Sequence, residues 1–117
     1  MKYALMIHET PEELARREGD EAPAYWAAWS AFSRAIEEAG VGVGGAGLLP
    51  PSTATTVRLL ADGKQVQDGP FADSKEQLGG FYLIDVPDLD SALEWASRIP
   101  AAGGAVEVRP LMASDDA

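Results

Sequence analysis

Asp68-Gly69-Pro70-Phe71-Ala72-Asp73-Ser74-Lys75-Glu76-Gln77-Leu78-Gly79-Gly80 is the most unusual stretch of this chain. Gly69-Pro70 marks a turn, because proline fixes φ and offers no N–H to a strand ladder. Asp68 carries a short carboxylate suited to bonding nearby backbone N–H groups. Phe71 is expected to anchor its ring in apolar surroundings. Ser74 or Asp73 is expected to cap one helical turn over Lys75–Leu78. Gly79-Gly80 is expected to end that turn and release the chain into Phe81-Tyr82-Leu83-Ile84, a strong strand run. The corner therefore has two readings. It is a structural bend with solvated charges, or Asp68, Lys75 and Glu76 converge on a small polar ligand and orient it or move its proton. The spacing is compatible with both.

Outward from the corner, the chain reads as an alternation of strands and helices. Thr55–Leu60 is β-rich, Asp62-Gly63 signals a hairpin turn, and Lys64–Gln67 returns to Asp68. The corner thus sits at the end of a hairpin, a rigid base for a site. Lys2–His8 reads as a first strand with apolar residues on both faces. Thr10-Pro11-Glu12-Glu13 has the form of a helix start, with Thr as N-cap, Pro at N1 and Glu at N3. This predicts a short helix to about Arg17, which Gly19 and Pro23 then break.

The spacing predicts a long helix over Ala24–Ala39, with Tyr25, Trp29, Phe32 and Ile36 on one stripe and Gly40 at its C-terminal end. Its aromatic residues, Trp26 beside the stripe included, read as core rather than as a stacking box. Gly42–Gly47 matches G-x-G-x-x-G, but it follows a helix and runs into Leu48-Leu49-Pro50-Pro51. The dinucleotide fingerprint needs the opposite context, so the match is rejected in favour of an irregular strand or bulge. Gly80–Val86 is expected to be a central strand. A second helix follows, capped by Asp88, with a stripe of Leu89, Ala92, Leu93, Ala96 and Ile99 and with Trp95 at its edge. Ala105–Met112 is the last strand. The chain is expected to form one domain over residues 1–112, with a frayed acidic tail at 113–117.

Composition narrows the function classes. The chain has 117 residues, no cysteine, one histidine and a formal net charge of −10. Disulfides, a thiol nucleophile and cysteine-ligated metals are excluded. His8 alone cannot build a multi-histidine metal site, although it is a candidate proton-transfer group near neutral pH. No cofactor motif is recognised. The acidity argues against nucleic-acid or anionic-membrane contact. No apolar run reaches membrane-spanning length. The first strand is too short for a signal sequence and is followed by Glu9 and Pro11, so a cytoplasmic location is expected.

The order strand, helix, strand, hairpin, strand, helix, strand is a split βαβ plan, an α+β fold with two helices on one face of an antiparallel sheet. The other face would be uncovered, and a homodimer with two sheets face to face is expected.

Asp68–Glu76 closely resembles the hallmark motif of the DGPF branch of the YCII-related protein family. So do Gly45-Ala46-Gly47-Leu48-Leu49-Pro50, Leu93–Pro100 and the strand start Lys2–Ile7. The resemblance spans nearly the whole chain. It implies a ferredoxin-like α+β fold that pairs into a dimeric α+β barrel. Some members of the wider family carry a His–Asp pair, with the His in the first long helix. This chain has no His there, so that assignment is not carried over. Some relatives are joined to, or encoded beside, sigma factors of the extracytoplasmic-function type.

Two functional readings follow. In the first, the protein is an enzyme or small-molecule binder. Asp68, Glu76 or His8 is then the proton-transferring group, and Lys75, Arg109 and Phe71 hold the ligand. In the second it is a non-catalytic regulatory module that meets a basic protein partner, such as a sigma factor, through its acidic surface.

Overall fold

The computed structural model describes residues 1–113. The elements run β1 (Lys2–Glu9), α1 (Pro11–Ala15), α2 (Ala22–Ala39), β2 (Gly42–Gly47), a 3-10 turn at Pro51–Thr53, β3 (Thr55–Leu60), β4 (Gly63–Asp68), β5 (Gln77–Asp85), α3 (Leu89–Ser97) and β6 (Ala105–Pro110). Four strands form one antiparallel sheet in the order β2-β5-β1-β6, and among the described residues β3 pairs only with β4. This is the expected split βαβ arrangement, a ferredoxin-like α+β fold. The expected acidic tail, Ala113 apart, lies outside the described residues.

Strand alternation places the core. Tyr3, Leu5 and Ile7 of β1 are buried, while Lys2, Ala4, Met6 and His8 point to the other face and are half-buried. Tyr3 and Leu5 meet Ile84 and Val86 from the strand side, and Phe32, Ile36 and Ala92 from α2 and α3. Phe32 stacks edge-on against Tyr82 at 5.2 Å and Trp95 at 6.2 Å, which are favourable aromatic geometries.

Local chemistry explains the helix ends. Thr10 Oγ1 accepts the Glu13 N–H at 3.1 Å, which caps α1. Asp88 accepts the Ser91 N–H at 2.8 Å, and this bond holds its carboxyl below the usual range. Gly40 ends α2 with φ 70°, the left-handed cap glycine supplies at least cost. α2 starts two residues before the expected Ala24, and Pro23 falls inside it. The proline lies in the first turn, where a missing N–H is tolerated, so the helix starts at Ala22.

Two further expectations are corrected. Leu89 and Leu93 are exposed, and α3 buries Ala92 while Trp95, Ala96 and Ile99 pack beside it. That set follows i, i+3, i+4, i+7, so the buried stripe is turned toward Trp95. No helical turn forms over Lys75–Leu78, since β5 already begins at Gln77. The corner closes instead through Gln77 Nε2, which donates to the Ala72 and Ser74 carbonyls at 2.9 and 2.7 Å. Gly79-Gly80 then lies inside a strand.

Leu5 is fully buried between the sheet and the helices. Leu5→Ala is expected to cost about 2–5 kcal/mol, as for other buried leucines, measured by urea denaturation.

Candidate functional site

The buried alternation of β1 does not stop at Ile7. It continues to Glu9, which is 1% exposed. A carboxylate there must be paired to be tolerated. Arg17, in the segment between α1 and α2, donates from Nη2 to Glu9 Oε1 at 2.9 Å. Tyr25, in the second turn of α2, donates its hydroxyl hydrogen to Glu9 Oε2 at 2.6 Å. Arg17 Nε donates to the Tyr25 hydroxyl at 3.1 Å, closing a triangle of three side chains. Arg17 also donates to the Leu48 carbonyl at 2.5 Å and the Gly79 carbonyl at 3.2 Å. One guanidinium thereby ties the α1–α2 segment to the end of β2 and to β5.

Gly79 makes the room. A Cβ there would overlap Glu9 Oε1 and come within 3.1 Å of Arg17 Nη2. The register between β1 and β5 shifts at this point: Ile7 faces Gly80, His8 faces Leu78, and Gly79 is the extra residue. Such a bulge bends the strand and leaves one residue unpaired in the ladder. Here it turns the Gly79 carbonyl onto Arg17.

Protonation states follow from these contacts. Burial pushes the Tyr25 phenol up to about 12, and its bond to Glu9 adds to the shift. The phenol therefore remains protonated at neutral pH. Burial disfavours the Arg17 cation, but its hydrogen bonds to Tyr25 and Glu9 outweigh that and raise its pKa.

The triangle forms the floor of a cleft of about 880 Å³ between α2 and the β2–β5 edge. Trp26, Trp29, Ser33 and Arg34 line it from α2, and Gly45–Pro50 line it from the opposite wall. Gly45 and Gly47 leave the β2 part of that wall almost bare of side chains. Gly45 sits at φ 146°, where a Cβ would meet the Phe81 carbonyl oxygen at 2.6 Å. Trp26 is held edge-on to Tyr25 at 4.8 Å, and its Nε1 donates to the Arg17 carbonyl at 3.1 Å. Ser33 and Tyr82 share a hydrogen bond of 2.6 Å. The cleft thus offers aromatic faces, an apolar lip at Leu48-Leu49-Pro50 and two cations, Arg17 and Arg34. Arg34 pairs with no carboxylate among the described residues.

The six residues singled out in the sequence lie elsewhere. Asp68 ends β4 opposite Thr55 and is exposed. Lys75 is exposed and Glu76 is half-buried at the corner. Phe71 is 72% exposed rather than anchored in apolar surroundings, with Arg58 stacked 5.3 Å over its ring. His8 and Arg109 belong to the open face of the sheet, where Arg109 pairs with Glu107. None of the six lines the cleft. Among the described residues no cluster of His, Asp and Glu is placed to hold a metal ion. Among the described residues no helix is long and apolar enough to cross a membrane.

The chain matches the YCII-related domain over residues 1–114. It belongs to the YCII-related family. An uncharacterised protein of Rhizobium meliloti (strain 1021) is 40% identical over 114 residues, which cover 95% of this chain and 92% of the relative. The YCII-related match runs through β1, α2 and β5, so the elements that build the cleft all lie inside the family domain.

The sequence reading missed Glu9 and Arg17. The signal was present: Tyr3, Leu5, Ile7 and Glu9 share one phase, and Arg16-Arg17 is the one adjacent basic pair in the chain. Arg17→Met is expected to destabilise by about 3–5 kcal/mol, because it strands a buried carboxylate. Adding Glu9→Gln is expected to recover much of that loss, as chemical denaturation of the double variant will show. Gly79→Ala is expected to act in the same direction as Arg17→Met.

Tyr25 makes a second prediction. Its folded pKa exceeds the unfolded value of 10.0, so its contribution to stability is complete below pH 10 and is lost as pH rises toward about 12. The phenolate absorbance of the native protein minus that of Tyr25→Phe should show a transition near pH 12.

Proposed function

We propose that this YCII-related protein binds a small molecule in the α2–β2 cleft, with Arg17 and Arg34 engaging an acidic group and Trp26 and Trp29 flanking a flat, partly apolar body. The observation that carries this reading is the cleft itself. Its floor is a Glu9–Arg17–Tyr25 triangle, and the opposite wall pairs the small residues Gly45, Ala46 and Gly47 with an apolar lip at Leu48-Leu49-Pro50. A concave, largely preformed cavity with a few convergent polar groups is where ligands bind. The triangle positions rather than reacts. Tyr25 holds its proton, both Glu9 oxygens are engaged, and Arg17 has one N–H left to offer a ligand.

The Asp68–Phe71 corner supports placing the chain in the DGPF branch of the family. The open sheet face supports a homodimer, because Ala4, Met6, Leu83 and Phe81 form an apolar centre that an isolated chain leaves only half-buried. A regulatory role with a basic partner such as a sigma factor is the second reading, and the net charge of −10 favours it.

A thermal-shift screen with small aromatic carboxylates tests the proposal. A ligand at a hundred times its dissociation constant stabilises the fold by about 2.7 kcal/mol. The shift is expected to disappear in Trp26→Ala and Arg34→Ala and to persist in Asp68→Ala and Lys75→Ala. The opposite pattern would move the site to the corner. No shift with any such compound would transfer the weight to the protein-partner reading.

A further inference from the structure

Among the described residues the β3–β4 hairpin has no third strand, and it stands away from the body. Its pairs run from Thr55 opposite Asp68 to Leu60 opposite Gly63, and its strand residues are exposed apart from Thr56. A two-stranded hairpin alone in water is marginally stable at best. This one also carries an uncovered apolar face. Val57 lies directly opposite Val66, and Leu59, on the same side, is 87% exposed. The chain's radius of gyration is 16.0 Å, against about 13 Å for a compact domain of this length.

We infer that the hairpin is an arm that packs its Val57–Leu59–Val66 face onto a second copy of this chain. The inference deepens the pairing proposed above by assigning it a second contact area. Three observations select a second copy over another partner. The first is charge. The chain carries −10 overall, yet the arm, Thr55–Asp68, is neutral: Arg58 and Lys64 offset Asp62 and Asp68. The open sheet face is neutral too, with Lys2 and Arg109 offsetting Asp85 and Glu107. These two surfaces are where one acidic chain can meet another without like-charge repulsion.

The second observation is area. Four strands of about six residues present a flat footprint of roughly 400 Å², so two sheets face to face bury about 800 Å² in all. A specific interface needs about 1,200–2,000 Å². Each arm presents about 200 Å² on one face, and two arms with their docking surfaces add about 800 Å². With the arms the pair reaches the standard size; without them it does not. The third is position. The arm leaves the sheet after β2 and returns at β5, so it is anchored at the edge of the open face. In a two-fold pair, each arm is then available to the other copy on equal terms.

Sedimentation equilibrium of the full chain tests this, with two variants beside the native protein. The arm variant carries Val57→Thr, Leu59→Thr and Val66→Thr, which keep strand propensity but remove the apolar face. The sheet variant carries Met6→Thr and Leu83→Thr. The arm variant is expected to raise the dimer dissociation constant at least tenfold with an unchanged circular dichroism spectrum. Native-like dimerisation of the arm variant would overturn the inference, and a native protein that stays monomeric would overturn both the inference and the pairing. If the sheet variant dimerises normally while the arm variant does not, the arm contact stands and the sheet pairing falls.

A second measurement avoids any folding defect. The chain has no cysteine, so Leu59→Cys can carry a single environment-sensitive dye. Its emission is expected to shift to the blue as concentration crosses the dimer dissociation constant. Water-like emission in the dimer would overturn the inference.

Discussion

The buried carboxylate of Glu9 is the constraint on which the rest of the structure depends. It continues the core-facing phase of β1, so it cannot turn to solvent without shifting the register of the central strand. It therefore requires Arg17 and Tyr25 to reach it, and Gly79 to leave them space. Each requirement fixes a different part of the chain. Arg17 sets the path between α1 and α2, Tyr25 sets the rotation of α2 over the sheet, and Gly79 sets the bulge in β5. A buried ion pair is weak evidence for stability, because desolvation offsets most of its attraction. Its effect here is on geometry: three segments distant in sequence are held at one point.

That geometry opens the cleft. With Tyr25 turned inward to Glu9, the next residue, Trp26, is carried toward the β2 side, and Ser33 and Arg34 follow on the same flank of the helix. A strand of ordinary residues at β2 would fill the space opposite. Gly45 and Gly47 do not, and a Cβ at Gly45 would meet the Phe81 carbonyl oxygen at 2.6 Å. The same residues that weaken an edge strand give the cleft its volume. An edge strand so poor in side chains is an inefficient way to build a core and an effective way to leave a groove beside one.

Most of the fold was legible in the sequence, because it rests on local signals. Thr10 and Asp88 as caps, Gly40 as a helix end, the hairpin at Asp62-Gly63 and the central place of β5 all follow from short-range chemistry. The candidate site was not, because it rests on contacts between distant residues. Glu9 looked like the polar residue after a strand, since its charge outweighed its phase. Gly79 looked like a punctuation mark, although it is the space required by a carboxylate seventy positions upstream. Phe71 looked like an anchor because aromatic rings are usually buried, yet it lies outside under Arg58. The aromatic residues of α2 were read as core by their period. Tyr25 and Phe32 obey that reading, while Trp26, one position off the stripe, faces the cleft instead.

β5 connects the two faces of the sheet. After its bulge, Gly80, Tyr82 and Ile84 turn toward the helices and Phe81 and Leu83 to the open side, which Leu78, just before the bulge, also faces. Inserting one residue at Gly79 thus serves both surfaces at once. It seats the Glu9–Arg17 pair under the cleft, and it brings Leu78 onto the open face beside His8, where an unbulged strand would have turned it inward. The chain's acidity follows the same division. Its carboxylates concentrate in the helices and their connections, from Glu12 to Glu38 and again from Asp88 to Glu94, while the open face and the hairpin are balanced. The helix side therefore carries most of the net acidity, while the open face and the hairpin hold charges of both signs in balance.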